Sequence, residues 1–218
     1  MSLRLLLFRS HQSEKFCGGS PIFAIIAAIE AQYQKILSKH VSFSIQQIID
    51  CAKEDSDPCR GTNFDNPLNY IEEKGLLLES DYQYTGVKGS CKMDSTKEPV
   101  KLNLFYQVAY GLSESSVKEL LLFLGPVPVS VDASRQTFLY YSSGIYKEEC
   151  ELNQPNHAVL VVGFGKEGND EYWLISNSWG KNWGQNGYMK FSRNTQLCCF
   201  ACHVAVVIVN KFSDFSSD

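Results

Sequence analysis

Between Ile22 and Ile36 the chain is apolar on nearly every side of a helical wheel, the mark of a buried helix rather than a surface one. Ser20 stands at the mouth of that helix, just after the glycine-loosened turn Cys17-Gly18-Gly19, so the expected element runs from Ser20 to Ile36. In "SFSIQQIIDC", Ile45, Ile48 and Ile49 fall at helical spacing behind Ser44, a good cap. The polar, proline-containing stretch "AKEDSDPCRGTNFDNP" reads as loop, and "LNYIEEKG" as a short helix stopped by Gly75. From about Leu102 the pattern shortens. "LNLFYQVAYG", "VPVSVDA", "HAVLVVGFG", "EYWLISNSWG", "GYMKFSR" and "CHVAVVIVN" are β-branched and aromatic runs divided by Gly, Asn and Ser, as strands are. One helix, roughly 116–124, interrupts them. Helices first and strands afterwards predict an α+β fold with a boundary near residue 105. The segments are then a helical lobe over 11–105, a β-rich lobe over 106–212 and a frayed tail over 213–218.

Composition narrows the class without naming it. A chain of 218 residues with 44% hydrophobic residues and a net charge of −4 suits one globular domain or two small lobes. No basic stripe appears, so nucleic acid is not an expected partner. No run reaches the roughly 18 apolar residues of a membrane span, so no membrane partner is expected either. The opening "MSLRLLLFRS" holds a short apolar patch broken by Arg4 and lacks a small-residue cleavage site. It is read as a first strand or a tail, not a convincing signal peptide.

Cysteine changes the picture most. Eight cysteines spread over the whole length point to disulfides and an oxidising compartment. The only C-x-x-C, Cys199 to Cys202, has no matching pair, which argues against zinc, and no metal or cofactor is expected. No N-x-[ST] acceptor adds support for secretion.

The segment "CGGSPIFA" resembles the C-G-[SA]-C-[WY] stretch of papain-like cysteine peptidases, cathepsins included. "NHAVLVVGFG" and "YWLISNSWGKNWGQNGYMKFSR" resemble that family's histidine and asparagine segments. His157 lies 137 positions after Ser20 and Asn177 lies 157 after it, where the family places its partners roughly 130 to 150 downstream. "SIQQIIDC" and "GPVPVSVDA" are also similar to family stretches, and the likeness runs from about Cys17 to Ala205.

The resemblance implies a papain-like two-lobed fold, a helical lobe and a β-barrel-like lobe with a cleft between them. It implies the disulfides Cys17–Cys59, Cys51–Cys91 and Cys150–Cys198. Cys199 and Cys202 are left over, expected as free buried thiols, with Cys199 in place of Cys198 as the partner of Cys150 as the alternative. It implies His157 as base, Asn177 as its orienter and Trp179 as the indole that shields them. Gly61, Thr62, Trp179 and Asn156 are the implied substrate-binding positions. A peptide or protein in the cleft, cystatin-like inhibitors, a monomeric state and a lysosomal or extracellular location follow by the same analogy.

The departures lie at the other half of the site. Ser20 occupies the position of the family's nucleophilic cysteine. A thiol has an ordinary pKa near 8.5 and is readily held ionised, whereas a serine hydroxyl needs a true general base. Pro21 replaces an aromatic, and Ser followed by Pro is a good cap and first-turn pair, so the hydroxyl is expected to bond back to its own helix. The oxyanion glutamine falls on Glu14, or on Gln12 if the loop carries two extra residues. A carboxylate there repels a developing oxyanion. Thr62 replaces the second glycine after Cys59, which predicts a narrower cleft. The family's P-x-x-x-D-W-R-like start and its propeptide are not visible in this chain. Three readings stay open: an inactive or severely impaired relative, a weak serine-nucleophile peptidase or esterase using Ser20, His157 and Asn177, and a purely structural protein.

Overall fold

The computed structural model describes residues 13–14, 17–38, 40–53, 57–150, 154–195 and 197–210. The opening segment 1–12, Gln12 included, and the tail from 211 onward lie outside the described residues.

The long helix α1 spans Ser20–Leu37. Ile22, Ile25, Ile26 and Ile29 are fully buried, because the helix is packed on more than one side. It lies against α2 (Ile45–Cys51) and α3 (Asp65–Lys74) on one side and the sheet on the other. Each such isoleucine removes apolar surface worth about 1.5–3 kcal/mol from water. The polar residues of α1 are not wasted on solvent. Glu30 accepts the Phe43 N–H at 2.8 Å. Gln32 donates to the Val207 carbonyl at 2.6 Å and accepts the Val209 N–H at 2.9 Å, tying the helix to the last strand.

Ser44 caps α2 by accepting the Gln47 N–H at 3.0 Å. Gln46 and Gln47 behind it are buried, and their amides serve the backbone of neighbouring loops. Helix α3 begins at Asp65, inside the stretch read as loop, and Gly75 ends it with φ 76. Helix α4 covers Glu114–Phe123, two residues ahead of expectation, because Ser113 supplies the cap.

Seven strands form one sheet: β1 (Leu104–Tyr110), β2 (Val127–Val131), β3 (Ile145–Tyr146), β4 (His157–Glu167), β5 (Asp170–Ser176), β6 (Tyr188–Ser192) and β7 (His203–Val209). The order is β1-β7-β2-β4-β5-β6-β3, antiparallel except for the β3–β6 pair. The two-residue β3 and the four-residue helix α5 (Gln136–Leu139) gave no readable periodicity. One apolar core gathers α1, α2 and α3 with Leu104 and Val207. A second gathers Val129, Val131, Val159, Trp173, Ile175 and Phe191. The result is an α+β, two-lobed molecule of papain-like architecture.

Cys17–Cys59, Cys51–Cys91 and Cys150–Cys198 are bonded, the pairs the resemblance implied. Cys199 and Cys202 are not free thiols, and Cys199 does not replace Cys198. They form a fourth disulfide with each other, at a sequence separation of 3 and a Cα–Cα distance of 5.2 Å. The tight turn around Leu197–Cys199 brings their α-carbons within bonding reach.

Candidate active site

Three chain segments meet where α1 begins. The first is the loop through Glu14 and Cys17, the second the start of β4, and the third the turn after β5. Gly18 donates its N–H to the Cys59 carbonyl at 2.7 Å, and a Cβ on Gly18 would sit 2.9 Å from that oxygen. Only glycine fits there, and together with the Cys17–Cys59 bond this fixes the direction from which α1 starts.

Ser20 is the first helical residue; the cap position belongs to Gly19, which offers no side-chain bond. The expected bond from the Ser20 hydroxyl to its own helix is therefore corrected. Ser20 Oγ instead accepts the backbone N–H of Ala158 at 3.1 Å, across the lobe junction. The reason is placement: one residue inside the helix, the hydroxyl faces β4 rather than the open N–H groups of the first turn. Ser20 is buried and makes no hydrogen bond to His157.

His157 opens β4 and Asn177 follows β5. The His157 Nε2 and Asn177 Oδ1 lie 2.8 Å apart. Asn177 Oδ1 also accepts the Ser178 N–H at 2.8 Å, so that atom is an oxygen and His157 Nε2 carries the proton. Nδ1 is thereby left as the basic nitrogen. The Trp179 ring lies over His157 at 4.7 Å between centroids, and Phe138 of α5 closes a further side at 6.4 Å. This dehydration pushes the His157 pKa down to about 4, with the Asn177 bond working against it.

Glu14 does not face open water. Its main chain is tied to Ser178 at 2.8 Å and to the Tyr84 hydroxyl at 2.8 Å. Its Oε1 accepts the indole N–H of Trp179, while Oε2 is buried and has no hydrogen-bond partner among the described residues. Burial raises its pKa to about 7; the Trp179 bond opposes the shift. Glu14 is absent from the cleft lining, so its carboxyl presents no atom to a ligand there. Gln12, the alternative for that role, lies outside the described residues.

The cleft has a volume of about 430 Å³ and is lined by Ser20, Gly61, Thr62, Asn156 and His157 among others. Gly61, Thr62 and Asn156 thus meet Ser20 and His157 on one surface. Trp179 stands behind His157 instead of on the cleft wall. Asn156 is braced from behind: its Oδ1 accepts the Ala133 N–H at 2.9 Å. A further pocket of about 40 Å³ lies beside Ser20, against Phe23, Ala158 and Asn177.

Sequence reading missed Phe138, Ser130 and His203. Phe138 sits on a helix too short to show a period. His203 falls within the strand run "CHVAVVIVN", and the β2–β7 pairing brings it beside Ser130 at the cleft. Among the described residues no cluster of His, Cys, Asp or Glu could hold a metal ion.

A helix N-terminus with Ser20 as its first residue thus faces a histidine–asparagine pair across the cleft. Residues 8–209 match the model of the papain family of cysteine proteases, and the chain belongs to that family. It is 36% identical over 199 residues to a cathepsin L-like proteinase of Fasciola hepatica, covering 90% of this chain and 60% of that protein. It is 34% identical over 191 residues to cathepsin K of Mus musculus, covering 87% and 57%. Cysteine proteinase 3 of Entamoeba histolytica is 39% identical over 186 residues, covering 84% and 59%. The chain thus spans about 60% of the length of the curated relatives it matches. Among solved structures, digestive procathepsin L2 proteinase from Tenebrio molitor superposes with a TM-score of 0.85 at 32% identity, covering 93% of this chain and 65% of that one.

Proposed function

We propose that this chain is a papain-fold peptide-binding protein that has lost, or nearly lost, peptide hydrolysis. The observation that carries the reading is the Ser20 hydroxyl engaged by the Ala158 N–H and not by His157. A hydroxyl that gives a lone pair to a backbone donor, with no base on its proton, is a poor nucleophile. Glu14 adds to this, because a buried carboxyl in place of an amide donor supplies no oxyanion stabilisation once ionised. Losing one such donor costs about 100- to 1000-fold in rate. The cleft itself persists, with Gly61, Thr62 and Asn156 exposed to a peptide chain.

A second reading, a weak serine peptidase or esterase, is favoured by the intact His157–Asn177 pair and its protonated Nε2. Peptide turnover separates the two. The binding reading expects a fluorogenic peptide to be held with measurable affinity yet cleaved no faster than by a Ser20→Ala variant. Turnover that disappears in Ser20→Ala favours the second reading. Four disulfides accord with an oxidising compartment, and the cathepsin-like relatives support a lysosomal or extracellular one. A monomer that also accepts cystatin-like inhibitors is part of the same proposal.

A further inference from the structure

The described residues that line the cleft include two ionisable side chains, His157 and His203, and no carboxylate, lysine or arginine. The two imidazoles are held differently. His157 spends Nε2 on Asn177 and is covered by Trp179. His203 is the first residue of β7 and is fixed through its backbone, whose N–H donates to Ser130 Oγ at 2.9 Å. Its ring rests edge-on against Tyr110, 5.0 Å between centroids, and neither ring nitrogen has a hydrogen-bond partner among the described residues. The rest of the wall is neutral, with apolar Phe64 and Pro155 beside the amides of Asn63 and Asn156 and the hydroxyls of Thr62 and Ser130.

We infer that His203 is a specificity-determining residue that makes the cleft favour a peptide bearing an aspartate or glutamate side chain. The inference rests on the peptide-binding reading above and names its ligand class. An imidazole offers a carboxylate one N–H when neutral and two, with a charge, when protonated. Hydrogen bonds between ionised partners are about twice as strong as neutral ones. A lysine side chain in the same place meets no opposite charge. A leucine side chain offers the His203 ring nitrogens no acceptor and would cover them without satisfying them, which is costly.

The test uses the full chain and fluorescein-labelled alanine hexapeptides in mildly acidic buffer. Each peptide carries one Glu, Leu or Lys, moved through every position, and binding is read by fluorescence anisotropy. At one position the Glu peptide is expected to bind about tenfold tighter than the Lys peptide, the size of one charged hydrogen bond. His203→Ala should reduce that ratio to within about twofold, and His203→Glu should reverse it. His203→Gln, which keeps a neutral donor, should retain part of the preference even if the alanine variant folds poorly. Preference of the unmodified chain for Leu or Lys, or an acid preference that survives His203→Ala, overturns the inference alone. Failure of every peptide to bind overturns both this and the proposed function.

Discussion

The two walls of the cleft have had different fates. The β-lobe wall presents His157, held from behind by Asn177 through a 2.8 Å bond and covered by the Trp179 indole. The helix wall holds Ser20 and Pro21, with Glu14 set off the cleft lining against the Trp179 indole, and on the reading proposed above these three do not supply what a histidine base would activate. The difference teaches that a base and its orienter are maintained by packing, independently of the group they would activate. Trp179 and Phe138 belong to the second core and would stay in place whatever stood at position 20. The Ser20 hydroxyl, by contrast, accepts the Ala158 N–H, a backbone donor that packing of the histidine does not depend on.

The largest effect that sharpens this comparison is repair of the helix wall. Ser20→Cys with Pro21→Trp and Glu14→Gln should raise peptide turnover by at least about 1000-fold, read with a fluorogenic peptide. Failure of that variant, properly folded, would show the β-lobe wall to be damaged too.

Next is the pH dependence of Glu14. Its folded pKa, about 7, lies above its ordinary value of 4.5. The folded state therefore binds the extra proton between those values, and stability is present below pH 4.5 and lost as pH rises toward 7. Glu14→Gln should remove the loss, adding up to about 3 kcal/mol above neutrality and little in acid, measured by urea unfolding at several pH values. His157 works the other way. With its folded pKa near 4 against 6.5, it makes stability fall as pH drops through that interval. In the Glu14→Gln variant that acid-side decline should stand alone.

Smaller still is the Cys199–Cys202 bond. By loop closure it constrains only a short ring, so replacing both residues with serine should cost about 2 kcal/mol. Removing Cys17–Cys59, with a separation of 42, should cost about 4 kcal/mol. The smallest effect is Ser20→Ala, which leaves the buried Ala158 N–H without an acceptor and should cost about 1–2 kcal/mol in thermal unfolding.

Much of the fold and part of the site were legible in the chain. Helix α1 and six of the seven strands showed their own periodicity, and Ser44 and Gly75 marked their helix ends. His157 and Asn177 were singled out by the resemblance of their segments, and the structure places the two side chains 2.8 Å apart. The partner of Ser20 was not, since Ala158 lies 138 residues away and offers only a backbone N–H. The Cys199–Cys202 bond depends on three non-glycine residues at positive φ, Cys198, Cys199 and Ala201, which no residue type announces. The burial of Gln46 and Gln47 was not legible, because their amides are satisfied by loop backbone distant in sequence, at Gly75, Leu77 and Thr85.

Covalent probing of Ser20 tests the central claim most directly. The intact protein is treated with a fluorophosphonate, and adducts are located by mass spectrometry. A hydroxyl committed to the Ala158 N–H is expected to stay unlabelled while the protein remains folded. A stoichiometric adduct on Ser20, absent from Ser20→Ala, would contradict the account and make this chain a serine hydrolase.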